Sequence, residues 1–242
     1  MNNMFQRSIP LLGIEGITKL NDCHVAVFGL GGVGGNCCEA LARAGVGEFS
    51  LFDFDIVNES NKNRQIIALD STIGKSKVEV MKDRLLDINS NIVIHIYNVK
   101  VDENFLNTIE FSKFDYVADC IDDVLGKLAI IKKSKENNVN IISSCGTGNK
   151  LDPMKFMIKD VNQTSVCPLA KKIRLELRKL EIKGVDVLFS TEEPIKSNEF
   201  ISSISFVPSV AGILIARHII LNIVKGKEES YIFLGYLKVS LF

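Results

Sequence analysis

Residues 24–35, H-V-A-V-F-G-L-G-G-V-G-G, decide the predicted fold. Residues 24–29 form an apolar run that is typical of a strand covered on both faces. This strand leads through the pattern G-x-G-x-x-G, carried by Gly29, Gly31 and Gly34, into residues with helical spacing. In such a unit the first glycine allows a tight turn, the second lets the backbone approach a phosphate, and the third lets the helix pack closely on the strand. The segment therefore predicts a Rossmann-type nucleotide site.

Short apolar runs alternate with amphipathic stretches on both sides of this segment. The predicted strands are residues 24–29, 49–53, 92–99, 116–120 and 140–146, and the predicted helices are residues 37–44, 75–88 and 125–137. Strands that alternate with helices favour a parallel, doubly wound sheet. We therefore predict the α/β class, with a Rossmann-like, doubly wound, mainly parallel sheet.

The sequence changes character after Gly148. We predict a single domain over residues 1–242, with residues 1–150 as its nucleotide-binding core and residues 151–242 as a C-terminal elaboration for dimer and substrate. Within the elaboration, residues 151–161 suggest a strand leading into a loop. Residues 184–198 are polar and rich in turn formers, which is typical of a mobile segment.

Two helices are predicted in this C-terminal third. Pro168 is placed to begin a basic helix at residues 169–183. Residues 207–224 form a membrane-like apolar run, but Arg217 and His218 interrupt it. A buried or dimer-facing helix is therefore favoured over a bilayer span.

Composition and charge restrict the class of protein. Hydrophobic residues make up 46% and charged residues 24% of the chain, which excludes a disordered or fibrous protein. Lysine plus arginine balance aspartate plus glutamate at 29 each, so net charge gives no support for a nucleic-acid partner. Any RNA contact has to come from a local basic face. The N-terminus lacks the pattern of an export signal, which favours a cytoplasmic location without a membrane partner.

The six cysteines form no C-x-x-C pair and the three histidines are scattered, so the ligand spacing of a zinc site is missing. Cys37 and Cys38 are adjacent in a predicted helix, where a mutual disulfide would be strained. We therefore expect buried, reduced thiols. A covalent mechanism would use Cys145, which ends a predicted strand, or Cys167, which lies at a helix start that favours a thiolate. A structural role for both is the alternative.

A cluster of polar residues follows the second predicted strand. Asp53 closes that strand, where its carboxylate is placed for a ribose diol. Beyond it lie further acidic, amide and basic side chains, namely Asp55, Asn61, Arg64, Gln65 and Lys77. Arg64 and Lys77 can neutralise the charge that builds on the α-phosphate and the departing pyrophosphate in nucleotidyl transfer. A dinucleotide enzyme has no need of these cations, so the cluster favours ATP over NAD.

Asp122 lies just past the strand predicted at residues 116–120, at the carboxyl edge where open α/β sheets bind ligands. Its carboxylate could hold Mg²⁺ together with phosphate oxygens. A cap on the following helix is the alternative interpretation.

Taken in order, these motifs resemble the superfamily of adenylating enzymes that includes ubiquitin-activating enzymes and bacterial activators of sulfur-carrier proteins. Its pattern is GxGGxG, D-x-D, N-x-x-R-Q, a lysine before a helix, and D-x-x-D, and all five occur here. The resemblance implies ATP and Mg²⁺ as cofactors, with Asp53 on the ribose and Asp122 beside the α-phosphate and the metal. The nucleotide-binding set that it implies is Gly29, Gly31, Gly32, Gly34, Asp53, Asp55, Asn61, Arg64, Gln65, Lys77 and Asp122.

The same resemblance implies catalytic roles for Arg64, Lys77, Asp122 and Arg7. Arg7, in F-Q-R-S, is similar to an N-terminal arginine that members of the superfamily offer across a dimer interface. It would therefore act in a homodimer. An ordinary surface arginine is the alternative.

Within the superfamily, further segments resemble the tRNA threonylcarbamoyladenosine dehydratases; they are residues 41–47, 63–81, 143–153, 163–179 and 203–216. That resemblance implies adenylation of the threonyl carboxylate of N6-threonylcarbamoyladenosine in tRNA. An internal carbamoyl oxygen would then displace AMP and close a ring, with proximity in place of an enzyme nucleophile. It makes tRNA a partner and a sulfur-relay helper protein a candidate partner.

Two other functions stay open at this point. One is an adenylyltransferase that activates the C-terminal Gly-Gly of a small sulfur-carrier protein. Members that activate ubiquitin-like proteins carry paired C-x-x-C motifs, which this chain lacks. The other is a nucleotide-binding regulator without turnover, which would not require Arg64 and Lys77 at the transferring phosphate.

The predicted basic helix offers a surface for tRNA. Its cations are Lys171, Lys172, Arg174, Arg178 and Lys179. They could follow backbone phosphates, and a symmetric dimer would double that surface. A solvated helix face is the alternative.

Overall fold

The computed structural model describes residues 3–196 and 201–225. Its centre is a seven-stranded sheet in the order β3-β2-β1-β4-β5-β7-β6. The strands are β1 (His24–Phe28), β2 (Glu48–Phe52), β3 (Val93–Tyr97), β4 (Tyr116–Asp119), β5 (Asn140–Ser144), β6 (Phe156–Asp160) and β7 (Asp186–Ser190). Strand β6 pairs antiparallel with β7, and the other neighbouring pairs are parallel.

Seven α-helices connect and cover the strands in the described part of the chain. They are α1 (Ile9–Asn21), α2 (Gly32–Ala44), α3 (Lys77–Ile88), α4 (Glu103–Leu106), α5 (Val124–Glu136), α6 (Pro168–Lys179) and α7 (Phe206–Lys225). The strand order reverses direction at β1, from which the chain winds to β2 on one side and to β4 on the other. The predicted Rossmann-like, doubly wound, mainly parallel sheet is confirmed.

Both faces of β1 are buried, as its apolar run predicts. Val25 and Val27 point into a core that α2 and α7 cover, whereas Ala26 and Phe28 point into a second core beneath α5 and α6. Because successive side chains of a strand alternate between faces, a strand with a helix layer on each side is apolar throughout.

One sequence-based interpretation is wrong. Residues 184–198 were expected to form a mobile segment, but residues 186–190 form β7, and all five of its residues are buried. The strand pairs with β5 on one side and β6 on the other, which protects its backbone. Its sequence, D-V-L-F-S, contains only three consecutive apolar residues between two polar ones, which is too short a run to predict a strand. Residues 197–200 lie outside the described residues.

The predicted apolar helix at residues 207–224 corresponds to α7. It is long and apolar enough to cross a membrane by length and composition, and 44% of its most apolar window is buried within the fold. Its buried face packs against α2 so closely that a Cβ on Gly212 would lie 2.2 Å from the Val33 carbonyl oxygen. The helix carries buried His218 as well. These contacts are those of a core helix.

Candidate nucleotide-binding site

A cleft of about 680 Å³ opens where the strand order reverses, at the carboxyl ends of the central strands. This is the place where open α/β sheets bind ligands. The predicted residues that line it are Gly29, Gly31, Gly32, Asp53, Asp55, Asn61, Arg64, Gln65, Lys77 and Asp122. Folding thus brings together residues from five separate parts of the sequence.

The glycine loop between β1 and α2 depends on two glycines. Gly29 has φ +85°, and a Cβ there would lie 3.0 Å from the backbone carbonyl of Cys120. Gly34 lies in the first turn of α2, where a Cβ would stand 1.8 Å from the Gly29 carbonyl oxygen. The tight turn and the close packing predicted for these positions are therefore present.

Gly31, the residue before the first turn of α2, has open space beside it. A Cβ on Gly31 would have Gln65 Nε2, at 3.8 Å, as its nearest neighbour. The first backbone N–H groups of a helix have no partner within it, and they favour a negatively charged ligand. The loop therefore presents N–H groups to the cleft where a phosphate fits.

Both oxygens of the Asp53 carboxylate accept hydrogen bonds from the backbone, which the sequence does not show. One carboxylate oxygen accepts a hydrogen bond from the Leu30 backbone N–H at 2.6 Å, and the other accepts one from the Asp55 N–H at 2.9 Å. Burial raises the pKa of the Asp53 carboxyl, against the opposing effects of Lys77 and these two hydrogen bonds. Asp53 thus holds the glycine loop in place, a role that sequence reasoning missed.

Lys77 is held at the first residue of α3. Its Nζ donates to Asp55 Oδ2 at 2.7 Å, and its side chain is only 6% exposed. The same carboxylate group is 46% exposed, so Asp55 faces the cleft while it orients the lysine. The D-x-D motif therefore supports the loop through Asp53 and the lysine through Asp55.

The N-x-N-R-Q cluster lines the cleft beside the glycine loop, since a Cβ on Gly32 would lie 3.2 Å from the Arg64 carbonyl oxygen. Asn61 is buried, and its Oδ1 accepts from the Asn58 N–H at 3.1 Å. Arg64 is half-buried, and its Nη1 donates to the Ser60 carbonyl at 3.0 Å. Gln65 is 7% exposed, and its Oε1 lacks a hydrogen-bond partner among the described residues. A buried polar atom without a partner is costly, and a ligand in the cleft would satisfy it.

The structure separates the roles of two neighbouring acids after β4. Asp123, not Asp122, caps α5, because its Oδ2 accepts from the Gly126 N–H at 2.6 Å. Asp122 is exposed and lines the cleft. The alternative interpretation of Asp122 as a helix cap is therefore wrong.

A buried ion pair supports the loop that carries Asp122. The Asp119 carboxylate accepts from Lys127 Nζ at 3.0 Å and from Ser143 Oγ at 2.6 Å, and its other oxygen accepts from the Ile121 N–H at 3.3 Å. Both charged side chains are fully buried. The sequence could have indicated this pair, because Lys127 lies three residues before Ile130 and therefore on the same apolar face of α5.

Lys127→Met is expected to destabilise the fold by about 3–5 kcal/mol, because it leaves the Asp119 carboxylate buried without its counter-charge. Urea unfolding followed by circular dichroism measures this change. Lys132→Met is the matched control, since Lys132 lies on the same helix in an exposed pair with Glu103 and should change stability little. Equal stability of the two variants would contradict this account of the loop.

The cysteines are free thiols, and all except half-buried Cys120 are buried, as expected. Burial raises the pKa of the Cys145 thiol to about 12, so it is not a thiolate at neutral pH. Cys167 lines the cleft as the residue before α6, but it is only 2% exposed. The burial of both thiols favours the structural role.

Arg7 is exposed and does not line the cleft of its own chain. The N-terminal residues pack instead beside the end of α2, where the Phe5 ring lies 3.2 Å from the place of a Cβ on Gly45. If Arg7 takes part in the reaction, it has to do so in the cleft of another copy of the chain.

Helix α6 uses some of its cations locally. Arg174 Nη1 donates to the Thr164 carbonyl at 2.7 Å, and Arg178 Nε donates to Asn162 Oδ1 at 3.2 Å. Lys171 and Lys172, near the start of the helix, are exposed. Residues 167–169 line the cleft, and these two lysines follow within the next helical turn.

The glycine loop, the acids that support it and the cations that line the same cleft together define a Rossmann-type nucleotide-binding protein. The chain belongs to the ThiF family, which matches it over residues 5–241. The family resemblance that the motifs predicted is thereby confirmed.

Two relatives are similar over almost the whole chain. One is the tRNA threonylcarbamoyladenosine dehydratase of Bacillus subtilis, 39% identical in an alignment that covers 94% of this chain and 97% of the relative. The other is the Escherichia coli tRNA N6-threonylcarbamoyladenosine dehydratase. Its crystal structure in complex with AMP has a TM-score of 0.86 and 31% identity, covering 91% of this chain and 93% of that one. Its complex with ATP has a TM-score of 0.84.

A relative from the alternative branch matches less of the chain. The molybdopterin-synthase adenylyltransferase of Salmonella typhimurium is 40% identical over 122 residues, which cover 50% of this chain and 49% of the relative.

Proposed function

We propose that this chain is an ATP-dependent tRNA threonylcarbamoyladenosine dehydratase. The observation that carries the proposal is a cleft lined by a glycine loop together with Arg64 and Lys77. It is supported by full-length similarity to dehydratases, one of which was crystallised with AMP and with ATP. Nucleotidyl transfer needs positive charge at the transferring phosphate, whereas binding alone does not require it.

The nucleotide is proposed to lie with its phosphates over the first turn of α2. Asn61, Arg64, Gln65 and Lys77 contact the phosphates, with Gln65 donating through its Nε2–H. The orphaned Gln65 Oε1 can only accept, so its partner has to be a donor such as a ribose hydroxyl or a water that accompanies the nucleotide. Asp53 retains lone pairs for the ribose hydroxyls while it holds the Leu30 N–H. A carboxylate oxygen accepts more than one hydrogen bond, so the two roles are compatible.

Asp122 fits a Mg²⁺ ion, because its exposed carboxylate lines the same cleft and offers the hard oxygen ligands that Mg²⁺ prefers. Bound there, the ion neutralises charge on the phosphates. The Asp119–Lys127 pair positions the loop that carries Asp122, and Asp55 positions Lys77. The charged groups are thus set before the reaction begins.

The proposed reaction has two steps. A threonyl carboxylate oxygen attacks the α-phosphorus of ATP, a P–O bond forms, and pyrophosphate leaves. The carbamoyl oxygen of the same side chain then attacks the activated carbonyl carbon, AMP leaves with the former carboxylate oxygen, and the ring closes as a carbamoyl N–H proton is released to solvent. The nucleoside loses one water in all. Because nucleophile and acyl group belong to one substrate, no enzyme nucleophile is required.

The alternative, activation of a carrier protein's C-terminal Gly-Gly, predicts a different second substrate. Purified protein with ATP and Mg²⁺ should release AMP with tRNA that carries threonylcarbamoyladenosine, and not with the same tRNA lacking the modification. A Gly-Gly-ending carrier protein should release no pyrophosphate above background. Pyrophosphate release with the carrier protein alone, in which the acyl adenylate retains AMP, would replace the dehydratase proposal with the alternative.

Cys145→Ala and Cys167→Ala are each expected to keep most of the AMP-forming activity, since both thiols are buried and neither takes part in the proposed reaction. Small losses from repacking are expected, and a thermal melting curve of each variant separates these from lost chemistry. Loss of AMP formation in a variant with a normal melting curve would indicate a covalent or sulfur-transfer mechanism.

We further propose a homodimer in which Arg7 reaches the partner's cleft. Arg7→Ala and Asp122→Asn proteins should each be inactive, while a mixture that exchanges subunits should recover activity. Random exchange makes half of the dimers mixed, each with one complete cleft, so about a quarter of wild-type activity is expected. No recovery in verified mixed dimers would leave Arg7 as a surface residue.

The tRNA is proposed to approach over α6, where exposed Lys171 and Lys172 lie within a helical turn of residues that line the cleft. Phosphate contacts of this kind add affinity without sequence preference. A sulfur-relay helper protein is a further proposed partner, and the cytoplasm is the proposed location.

A further inference from the structure

A second cluster of metal-binding side chains lies away from the nucleotide cleft. His24 begins β1, Glu48 begins β2, and His95 lies within β3, the edge strand. These strands are parallel neighbours, with His24 opposite Glu48 and His95 opposite Ser50. The cluster therefore forms near the amino-terminal edge of the sheet, whereas the nucleotide cleft lies at the carboxyl ends. Histidines that are far apart in sequence become neighbours through strand pairing.

The distances suit a small cation. His24 Nδ1 lies 3.3 Å from Glu48 Oε1, and His95 Nε2 lies 2.9 Å from the same oxygen. One ligand atom from each of the three side chains lies within 4.8 Å of the others. Two ligands of a tetrahedral Zn²⁺ ion, each about 2.0–2.1 Å from the metal, stand about 3.3 Å apart. Small side-chain movements would therefore seat an ion among the three atoms.

A neighbouring hydroxyl orients the His24 ring. His24 Nε2 lies 2.9 Å from Ser50 Oγ, and Ser50 is 1% exposed. When Nε2–H donates to this hydroxyl, the Nδ1 lone pair faces the Glu48 carboxylate. Two lone-pair-bearing atoms that face each other favour a cation between them. Metal-bound histidines usually bind an outer partner through the second ring nitrogen in this way.

Other contacts hold the His24 end of the cluster rigid. The His24 backbone N–H donates to Asp115 Oδ2 at 2.8 Å, and the ring meets the Phe114 ring edge-on at 5.0 Å. The side chain of His24 is 12% exposed, whereas those of Glu48 and His95 are 38% and 46% exposed. One fixed ligand and two accessible ones leave a solvent-facing position for a fourth ligand.

We propose that His24, Glu48 and His95 form a binding site for a divalent transition-metal ion of the Zn²⁺ type. Two imidazoles and one carboxylate are a donor set that Zn²⁺ accepts, whereas Mg²⁺ prefers oxygen ligands alone. The ion would join β1, β2 and β3 and would not compete with the Mg²⁺ of the nucleotide cleft.

The test is isothermal titration of the chelator-treated full chain with ZnCl₂, in excess MgCl₂ and without ATP. One Zn²⁺ per chain is expected to bind. Glu48→Gln and His95→Ala should each weaken that binding at least about 100-fold, and Ser50→Ala about tenfold. The matched control is Glu103→Gln, which removes an exposed carboxylate elsewhere and should leave the affinity unchanged.

Thermal melting provides the second readout. Zn²⁺ should raise the melting temperature of the wild type and of Glu103→Gln, and not that of His95→Ala, whose half-exposed position on an edge strand allows the variant to fold. The metal-free melting temperature of each variant verifies its fold. Absence of one-to-one binding, or binding that Glu48→Gln and His95→Ala leave intact, would overturn the proposal.

Discussion

Asp122→Asn is expected to abolish adenylate formation while ATP still binds. The substitution keeps the size and the loop but removes the negative charge that faces the phosphates and the proposed Mg²⁺ ion. Losing one group that stabilises developing charge costs on the order of 100- to 1,000-fold in kcat. The measurements are pyrophosphate release with modified tRNA, and the Kd of ATP by calorimetry, which should rise less than about tenfold.

The matched control for this substitution is Asp123→Asn, one residue further along the same loop. Asp123 caps α5 through the Gly126 N–H, and asparagine caps a helix about as well as aspartate, so the amide variant should keep its stability and most of its activity. An equal loss of ATP affinity and adenylation in Asp122→Asn would remove the assigned role at the α-phosphate. Equal activity of the two variants would do the same.

Gly34→Ala is expected to remove ATP binding and to destabilise the fold. A Cβ at this position would stand 1.8 Å from the Gly29 carbonyl oxygen, so the helix or the loop has to move. Such overpacking costs about 1–3 kcal/mol and sometimes more. Because the displaced backbone is the phosphate loop itself, ATP affinity should fall at least about 100-fold, a change of about 2.7 kcal/mol. Calorimetry with ATP and urea unfolding measure the two effects.

Gly35→Ala is the control in the same helical turn. A Cβ on Gly35 would have Ile66 Cγ2 at 3.3 Å as its nearest neighbour, a flexible methyl group that can shift. Alanine also favours the helix over glycine, so this variant should keep its stability and bind ATP normally. Normal ATP binding by Gly34→Ala would contradict the close packing that defines the loop.

The core of the fold could be predicted from the sequence because its signals are local. The glycine loop, the apolar strand before it and the helix after it lie within residues 24–44. The other strand–helix units are likewise contained in short, continuous segments of the chain. Strand β7 was missed for the opposite reason. Its five residues are buried by β5, β6 and both helix layers, none of which is visible in the short run D-V-L-F-S.

The sequence predicted which residues gather at the cleft better than the contacts that they make there. It predicted a common site for Asp53 and Asp55, but it did not show that Asp53 holds the Leu30 N–H or that Asp55 holds Lys77. Such contacts join segments that only the folded sheet brings together. The histidine cluster has the same origin, because scattered residues met through the register of parallel strands.

The measurement that tests the central claim most directly follows the fate of the modified nucleoside. The purified chain, ATP and Mg²⁺ are incubated with tRNA that carries threonylcarbamoyladenosine, and the tRNA is then digested mildly for mass spectrometry. We predict that the modified adenosine loses the mass of one water, with one AMP formed for each nucleoside converted. ATP turned over to AMP while the nucleoside keeps its original mass would contradict the dehydratase account.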